Sequence, residues 1–140
     1  MPIVDANGIQ LYHDTFGDTA DPTLLLVSGL GAQCTNFDDE LCEAFADRGL
    51  HVVRFDNRDA GLSTKFASEQ TYTLSDMAAD ARGLLDALGI EQAHVWGSSM
   101  GGMIAQTLAI ETPERVRTLT SVQSTTGEPD VGMPEADALT

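Results

Sequence analysis

Apolar and polar positions change their spacing several times along the chain, and each change predicts a new element. Two short strand-like runs, residues 3–6 and 9–16, flank Asn7-Gly8, a dipeptide that favours the type I′ turn of a β-hairpin. Residues 23–27 are apolar without alternation, a pattern typical of a strand that is covered on both faces of a parallel sheet. The chain therefore opens with a hairpin followed by a buried strand.

Beyond residue 27, segments with helical spacing alternate with short strand-like segments. Asn36 is a suitable N-cap, Phe37, Leu41 and Phe45 share one helix face, and Gly49 ends this first helix. The remaining elements are, in order, strand 51–55, a long polar loop to about residue 71, helix 73–89, strand 93–96, turn 97–101, helix 100–110 and strand 116–122.

This alternation predicts an α/β fold with a mostly parallel sheet of about six strands, opened by the hairpin and wound by right-handed crossover helices. In such a sheet the ligand site lies at the carboxyl ends of the strands. Residues 1–123 form the predicted core. Residues 124–140 form an acidic tail that contains Gly and Pro, and within it residues 134–140 resemble the first turn of a helix.

The turn between strand 93–96 and the following helix carries a candidate nucleophile. Residues 97–101 read Gly-Ser-Ser-Met-Gly, a G-x-S-x-G motif in the strand-to-helix context that the motif requires. Ser99 occupies the apex of this sharp turn, where its hydroxyl projects into open space. Gly97 and Gly101 lack the Cβ atoms that would clash when the turn closes. A glycine-rich turn without chemistry is the alternative, and it leaves the serine at the apex unexplained.

Two backbone N–H groups are candidate donors to an oxyanion beside Ser99. The helix that starts at Met100 directs its free N–H groups and the positive end of its dipole toward that position. The second donor is Leu30, in the loop after strand 23–27, where Gly29 lets the backbone approach a substrate closely. Leu30, Met100 and Met103 suggest an apolar pocket, which makes Met103 a candidate substrate-binding residue. Gly29 is a second candidate because its backbone can approach the substrate closely.

Composition and charge exclude several other classes of function. The 140 residues carry a formal net charge of -15, which disfavours nucleic acid and anionic membranes as partners. No run of eighteen apolar residues and no signal-peptide pattern is present, so we expect a cytoplasmic protein. Cys34 and Cys42 have no neighbouring histidine or second cysteine pair, so we expect buried thiols and no metal. The motif lacks the Lys-Ser/Thr pair of a phosphate loop, and no organic cofactor is implied.

Taken together, these segments resemble the α/β-hydrolase superfamily and, within it, hydrolases similar to aclacinomycin methylesterases. The resemblance covers nearly the whole chain and implies that Ser99 is the nucleophile, that Leu30 and Met100 are oxyanion donors, and that residues 56–63 form a structural loop. It also implies a truncated α/β-hydrolase fold, in which residues 124–140 begin a missing cap region. The matching segments are residues 28–33, Ser-Gly-Leu-Gly-Ala-Gln, residues 54–63, Arg-Phe-Asp-Asn-Arg-Asp-Ala-Gly-Leu-Ser, and residues 93–106.

The chain departs from the family pattern at two points. Ser28 stands where many relatives have a histidine, which bears on the substrate class. Family members place the acid after a seventh strand and the base histidine after an eighth, and this chain has neither strand. His94 lies five residues before Ser99, about 16 Å away along an extended segment. We expect His51 at the opposite end of its strand and His13 in the hairpin, away from the site.

Asp56 and Asp59 lie nearer the expected site than the histidines do. A carboxylate held by Arg54 or Arg58 in a tight loop is more often structural than catalytic, and we expect that role here.

Two hypotheses of different class remain. In the first, the chain is a serine hydrolase, or the nucleophile-bearing piece of one, that cleaves a small-molecule carboxylic ester through an acyl-Ser99 intermediate. In the second, it is a catalytically incompetent α/β module or a truncated product that acts through protein association. Both predict a homo-oligomer or a complementing partner chain, because strand 116–122 would present an uncovered sheet edge.

Overall fold

A six-stranded sheet runs through residues 2–130, the part of the chain that the computed structural model describes. The strands are β1 Ile3–Ala6, β2 Ile9–Phe16, β3 Thr23–Val27, β4 His51–Phe55, β5 Ala93–Ser98 and β6 Val116–Val122. The helices are α1 Asp39–Ala46, α2 Leu74–Ala87 and α3 Met100–Glu111. The strand order across the sheet is β1-β2-β4-β3-β5-β6. Only the pairs β1–β2 and β2–β4 are antiparallel, which confirms the predicted α/β fold with its opening hairpin.

The centre of the sheet is covered on both faces. All five residues of β3 and all five of β4 are buried. On one face α2 and α3 pack against Leu25, Val27 and Val95. On the other face α1 packs against Leu24 and Val52. Because both faces of β3 are removed from water, residues 24–27 are apolar without alternation, whereas β4 also buries His51 and Arg54.

The first helix starts later than the sequence predicts. Residues 34–36 form a 3-10 turn, and the N-cap of α1 is Asp38, whose carboxylate accepts the Leu41 N–H at 2.8 Å. Asn36 is therefore not the N-cap. The 3-10 turn occupies the position predicted for the cap, and the α-helix begins only after Phe37, which is buried.

Strand β6 lies at one edge of the described sheet and pairs there with β5. Most of its residues are exposed, and Leu119 is among the exposed large apolar side chains of residues 2–130. None of the described helices is long and apolar enough to cross a membrane. The helical turn predicted for residues 134–140 lies outside the described residues.

Candidate active site

The backbone at Ser99 forms a strained turn between β5 and α3. Ser99 has φ 56° and ψ -122°, a conformation that residues with a Cβ rarely adopt. Its side chain is exposed, and α3 begins at the next residue. A non-glycine residue in this conformation persists only where surrounding contacts enforce it. The turn thus presents the Ser99 hydroxyl at the carboxyl end of β5.

Two glycines let the turn close. A Cβ built on Gly97 would lie 2.6 Å from the Gly102 nitrogen and closer still to the Gly101 carbonyl. A Cβ on Gly101 would lie 2.7 Å from the Ser28 carbonyl oxygen. Every one of these neighbouring atoms is backbone, so no side chain can rotate to make room. A side chain is therefore sterically excluded at both Gly97 and Gly101.

The end of β6 fixes the backbone of Ser99. The Ser99 N–H donates to the Val122 carbonyl at 2.9 Å, and the Ser124 hydroxyl donates to the Ser99 carbonyl at 2.7 Å. Gln106 on α3 ties the same segment down, because its side-chain amide donates to the Thr125 carbonyl at 3.1 Å. The sequence gives no signal for these contacts, since they join residues that are 19 to 25 positions apart.

The loop after β3 lies against the turn at Ser99. A Cβ on Gly29 would lie 3.3 Å from Ser99 Cβ and 3.8 Å from Ser99 Oγ. The adjacent Leu30 has a side chain that is 83% exposed, so it contributes little to the core. Met100 is the first residue of α3, and the first N–H groups of a helix have no partner within it. Gly29 thus lies beside the Ser99 side chain, Leu30 follows Gly29, and Met100 follows Ser99 directly.

Two clefts meet at Gly29 and Leu30. The larger, about 480 Å³, opens beside Ser99 and has the aromatic rings of Phe37 and Trp96 in its wall, 5.3 Å apart between centroids. The smaller, about 160 Å³, has a mainly apolar lining that includes Met77, Tyr72 and Met100. Met103 is not among the residues that line either cleft, and it packs instead beside Gly127. Its contact with substrate stays a prediction.

None of the histidines among the described residues lies beside Ser99. His94 is the second residue of β5 and its Nδ1 lies 2.7 Å from Thr118 Oγ1. His51 is the first residue of β4, so it lies at the amino ends of the parallel strands, whereas Ser99 lies at their carboxyl ends. His13 pairs with Phe55, the last residue of β4, so it lies at the same end of the strands as Ser99. Strands β4 and β3 separate the two residues across the sheet. Three strand spacings of about 4.8 Å place His13 roughly 14 Å to one side. Burial lowers the pKa of both His13 and His51.

The carboxylates after β4 bind backbone rather than arginine, which corrects the expected pairing with Arg54 and Arg58. Asp56 accepts the Cys34 N–H at 2.7 Å and the Leu62 N–H at 3.0 Å. Asp59 accepts the Phe66 N–H at 2.7 Å and the Tyr72 hydroxyl at 2.6 Å, and these two hydrogen bonds lower its pKa. The structural role expected for this loop thus rests on hydrogen bonds from backbone N–H groups and from the Tyr72 hydroxyl.

The two arginines pair with acidic residues elsewhere. Arg54 binds Asp14 and Asp39, and its Nη1 donates to the Phe37 carbonyl at 2.6 Å. Arg58 forms a two-point pair with the buried Asp80, at 2.6 and 2.8 Å. The partners of both arginines are far from them in sequence, so only the folded chain reveals them.

The two cysteines are buried, as expected. Burial raises the pKa of Cys34 to about 12 and also raises that of Cys42, so both are held as thiols. Within residues 2–130 no three His, Cys, Asp or Glu side chains are grouped so that they could hold a metal ion.

Comparisons with known proteins agree with this fold. A family model described as alpha/beta hydrolase fold matches residues 22–139. Rhodomycin D methylesterase DauP of Streptomyces sp. (strain C5) is 37% identical over 119 residues, which are 84% of this chain and 40% of that protein. Rhodomycin D methylesterase DnrP of Streptomyces peucetius is 40% identical over 114 residues, 80% of this chain and 38% of that protein.

Among solved structures, a hydrolase from Pseudomonas aeruginosa PA01 superimposes with a TM-score of 0.82 and 29% sequence identity. The match covers 91% of this chain and 47% of that one. The chain therefore spans less than half the length of the relatives it matches. These matches confirm the resemblance drawn from the sequence.

Proposed function

The chain belongs to the alpha/beta hydrolase fold family, and from this premise we propose that it carries the nucleophile of a serine hydrolase that cleaves carboxylic esters. The observation that supports the proposal most is the conformation of Ser99. This residue has a positive φ, an exposed side chain and the start of α3 as its neighbour. Strained residues cluster at functional sites, and Ser99 lines the larger cleft.

The reaction follows from the groups around that hydroxyl. A general base removes the proton of Ser99 Oγ, and the oxygen attacks the ester carbonyl carbon. The Leu30 and Met100 N–H groups donate to the oxyanion that forms, assisted by the positive end of the α3 dipole. Collapse of this tetrahedral intermediate expels the alcohol, which takes up the proton. Water then hydrolyses the acyl-Ser99 ester by the same steps and regenerates the free hydroxyl.

The substrate we propose is a small-molecule ester with an apolar portion. The two rhodomycin D relatives are named as methylesterases, which favours a methyl ester. The Phe37 and Trp96 rings offer an apolar wall beside Ser99. An apolar part of the ester that packs against this wall is removed from water, which contributes favourably to the free energy of binding.

The base and its acid partner come from outside this sequence in our proposal. All three histidines of the chain lie among the described residues, and each is held away from Ser99. A further segment or a complementing chain would supply the missing pair, and the exposed edge strand β6 is the side of the sheet at which association is expected. Without the base, residual catalysis rests on the oxyanion donors and binding, on the order of thousandfold over water.

Covalent labelling tests the proposal. The chain is incubated with a fluorophosphonate, with and without added imidazole as an external base, and the adduct is mapped by mass spectrometry. We expect an adduct at Ser99 that forms faster with imidazole, is absent in Ser99→Ala and persists in the control Ser98→Ala. A folded sample that acquires no adduct at Ser99 under either condition would refute the proposed nucleophile.

A further inference from the structure

Two adjacent side chains in the loop after β4 hold the two ends of the loop after β3. Asn57 contacts Ser28, the first residue of that loop, and Asp56 contacts Cys34, where it enters the 3-10 turn. Both Asn57 and Asp56 are 3% exposed. The intervening residues include Leu30, one of the two proposed oxyanion donors. The donor segment is thus fixed from its ends.

The Asn57 contact orients the peptide that precedes Gly29. Asn57 Nδ2 donates to the Ser28 carbonyl at 3.0 Å. That carbonyl and the Gly29 N–H belong to one planar peptide group, so fixing the oxygen fixes the direction in which the chain leaves toward Leu30. The backbone of Gly101 packs against the same carbonyl, because a Cβ there would lie 2.7 Å from it. Asn57 therefore sets the loop after β3 against the first turn of α3.

The Asp56 contact fixes the far end of the same loop. Its Oδ1 accepts the Cys34 N–H at 2.7 Å, and its Oδ2 accepts the Leu62 N–H at 3.0 Å. Gly61 gives the carboxylate its space, since a Cβ there would lie 2.8 Å from Asp56 Oδ1 and nearer to the other oxygen. The carboxylate is thereby fixed by backbone on both sides.

The loop has little structure of its own to hold these positions. Within residues 29–33 the structure shows one backbone hydrogen bond, a long one of 3.3 Å from the Ala32 N–H to the Gly29 carbonyl. Gly31 has φ 69° and open space around it, and Leu30 is largely exposed. A segment with so few internal contacts takes its geometry from its anchors.

We propose that Asn57 and Asp56 are positioning residues that hold the Leu30 N–H in place as an oxyanion donor. The inference rests on the proposed function, because it assigns Ser99 and Leu30 the roles given there. Neither residue needs to touch the substrate. Their effect is on the placement of a donor, and a donor acts only where charge develops in the transition state. The proposal therefore predicts a defect that is specific to reactions forming a negatively charged oxygen.

The experiment compares two electrophiles that differ in that one atom. Ser99 Oγ displaces fluoride from a fluorophosphonate, with loss of its proton to solvent base, and the developing charge falls on the P=O oxygen. In the matched thiono reagent the charge falls on sulfur, a weak hydrogen-bond acceptor. Labelling rates at Ser99 are measured with both reagents for the unaltered chain, for Asn57→Asp and for Asp56→Asn. Circular dichroism establishes that each variant is folded.

Asn57→Asp removes the donor to Ser28 while keeping the shape of the side chain. Because loss of a whole donor costs about 100-fold or more, we expect displacement of one to slow P=O labelling roughly tenfold. We expect P=S labelling to change less than about twofold, since sulfur gains little from the donor. Asp56→Asn exchanges one of two acceptors for a donor, and we expect a smaller loss of the same kind.

Gln92→Glu is the matched control. The Gln92 amide also donates to a backbone carbonyl, that of Glu114 at 2.8 Å, at the far end of β5. We expect it to leave both rates unchanged. The unaltered chain supplies a test that needs no variant, since its preference for P=O over P=S must exceed that of hydroxide in solution.

Three results overturn the inference while the Ser99 adduct still forms. The P=O and P=S labelling rates fall in parallel in folded Asn57→Asp, or neither variant loses labelling rate. In the third, the unaltered chain prefers P=O over P=S no more than hydroxide in solution does. Absence of any Ser99 adduct is instead a failure of the proposed function.

Discussion

Gly97→Ala tests whether the turn at Ser99 is closed as tightly as the structure describes. The added Cβ would lie 2.6 Å from the Gly102 nitrogen, whereas carbon contacts are comfortable at about 3.5 Å or more. The backbone on the two sides of the turn would therefore have to separate by at least about 1 Å, because the Gly101 carbonyl lies closer still. Overpacking of this kind costs typically about 1–3 kcal/mol, and we expect the upper end because backbone cannot rotate away. That loss is a large part of a typical stability of about 5–15 kcal/mol.

Urea unfolding followed by the fluorescence of Trp96 measures this loss, and Gly49→Ala provides the control. Gly49 has φ 86°, and a Cβ there would meet nothing within 4 Å, so alanine encounters only backbone strain, about 1 kcal/mol. We expect Gly97→Ala to lose clearly more stability and also to lose labelling at Ser99 under conditions where it remains folded. Equal losses in the two variants would show that the close approach of Gly97 to the start of α3 is wrong.

Two further predictions concern charge. Asp80→Asn leaves Arg58 buried without its counter-charge, so we expect the free energy of unfolding in urea to fall by about 3 kcal/mol. Asp86→Asn, at a side chain that is 59% exposed, should lower it by less than about 1 kcal/mol. Similar losses in the two variants would refute this view of the buried pair. Burial lowers the pKa of His51 from 6.5, so the unfolded state binds more protons and the free energy of unfolding should fall as the pH drops below about 6.5. The slope of this free energy against pH should be smaller in His51→Gln. An unchanged slope would exclude His51 as its source.

Most of the fold could be predicted because its signals are local. The bounds of β1 to β4 and β6 follow from apolar runs and from turn residues beside them. Asn7 and Gly8 adopt φ 52° and 77°, as the hairpin turn requires. Thr73 and Asp76 form the capping box that starts α2. In each case the residues that determine the element lie within it or next to it, so the local sequence is sufficient to predict it.

The site could be predicted only in part, for the converse reason. The motif at Ser99 is local, and so are its glycines. The contacts that stabilise the site are not, because Ser124 and Asn57 act on segments 25 and 29 residues away. The same limit explains the arginine pairs, since Arg58 selects Asp80 over the neighbouring Asp59 once α2 packs beside it. The start of α1 differs from the prediction because Asp38, a residue type as suitable for a cap as Asn36, accepts the Leu41 N–H, whereas Asn36 lies in the 3-10 turn.

The contacts that hold Ser99 all come from elements within the described residues. Gly97 and Gly101 close the turn from β5 and α3, the end of β6 fixes the Ser99 backbone, and the loop after β3 supplies Gly29 beside its hydroxyl. No contact in this set involves a general base. Strain at the proposed nucleophile can therefore be maintained by contacts that include no general base. This separation is why labelling of Ser99 is the decisive measurement, whereas absence of turnover says nothing about the nucleophile.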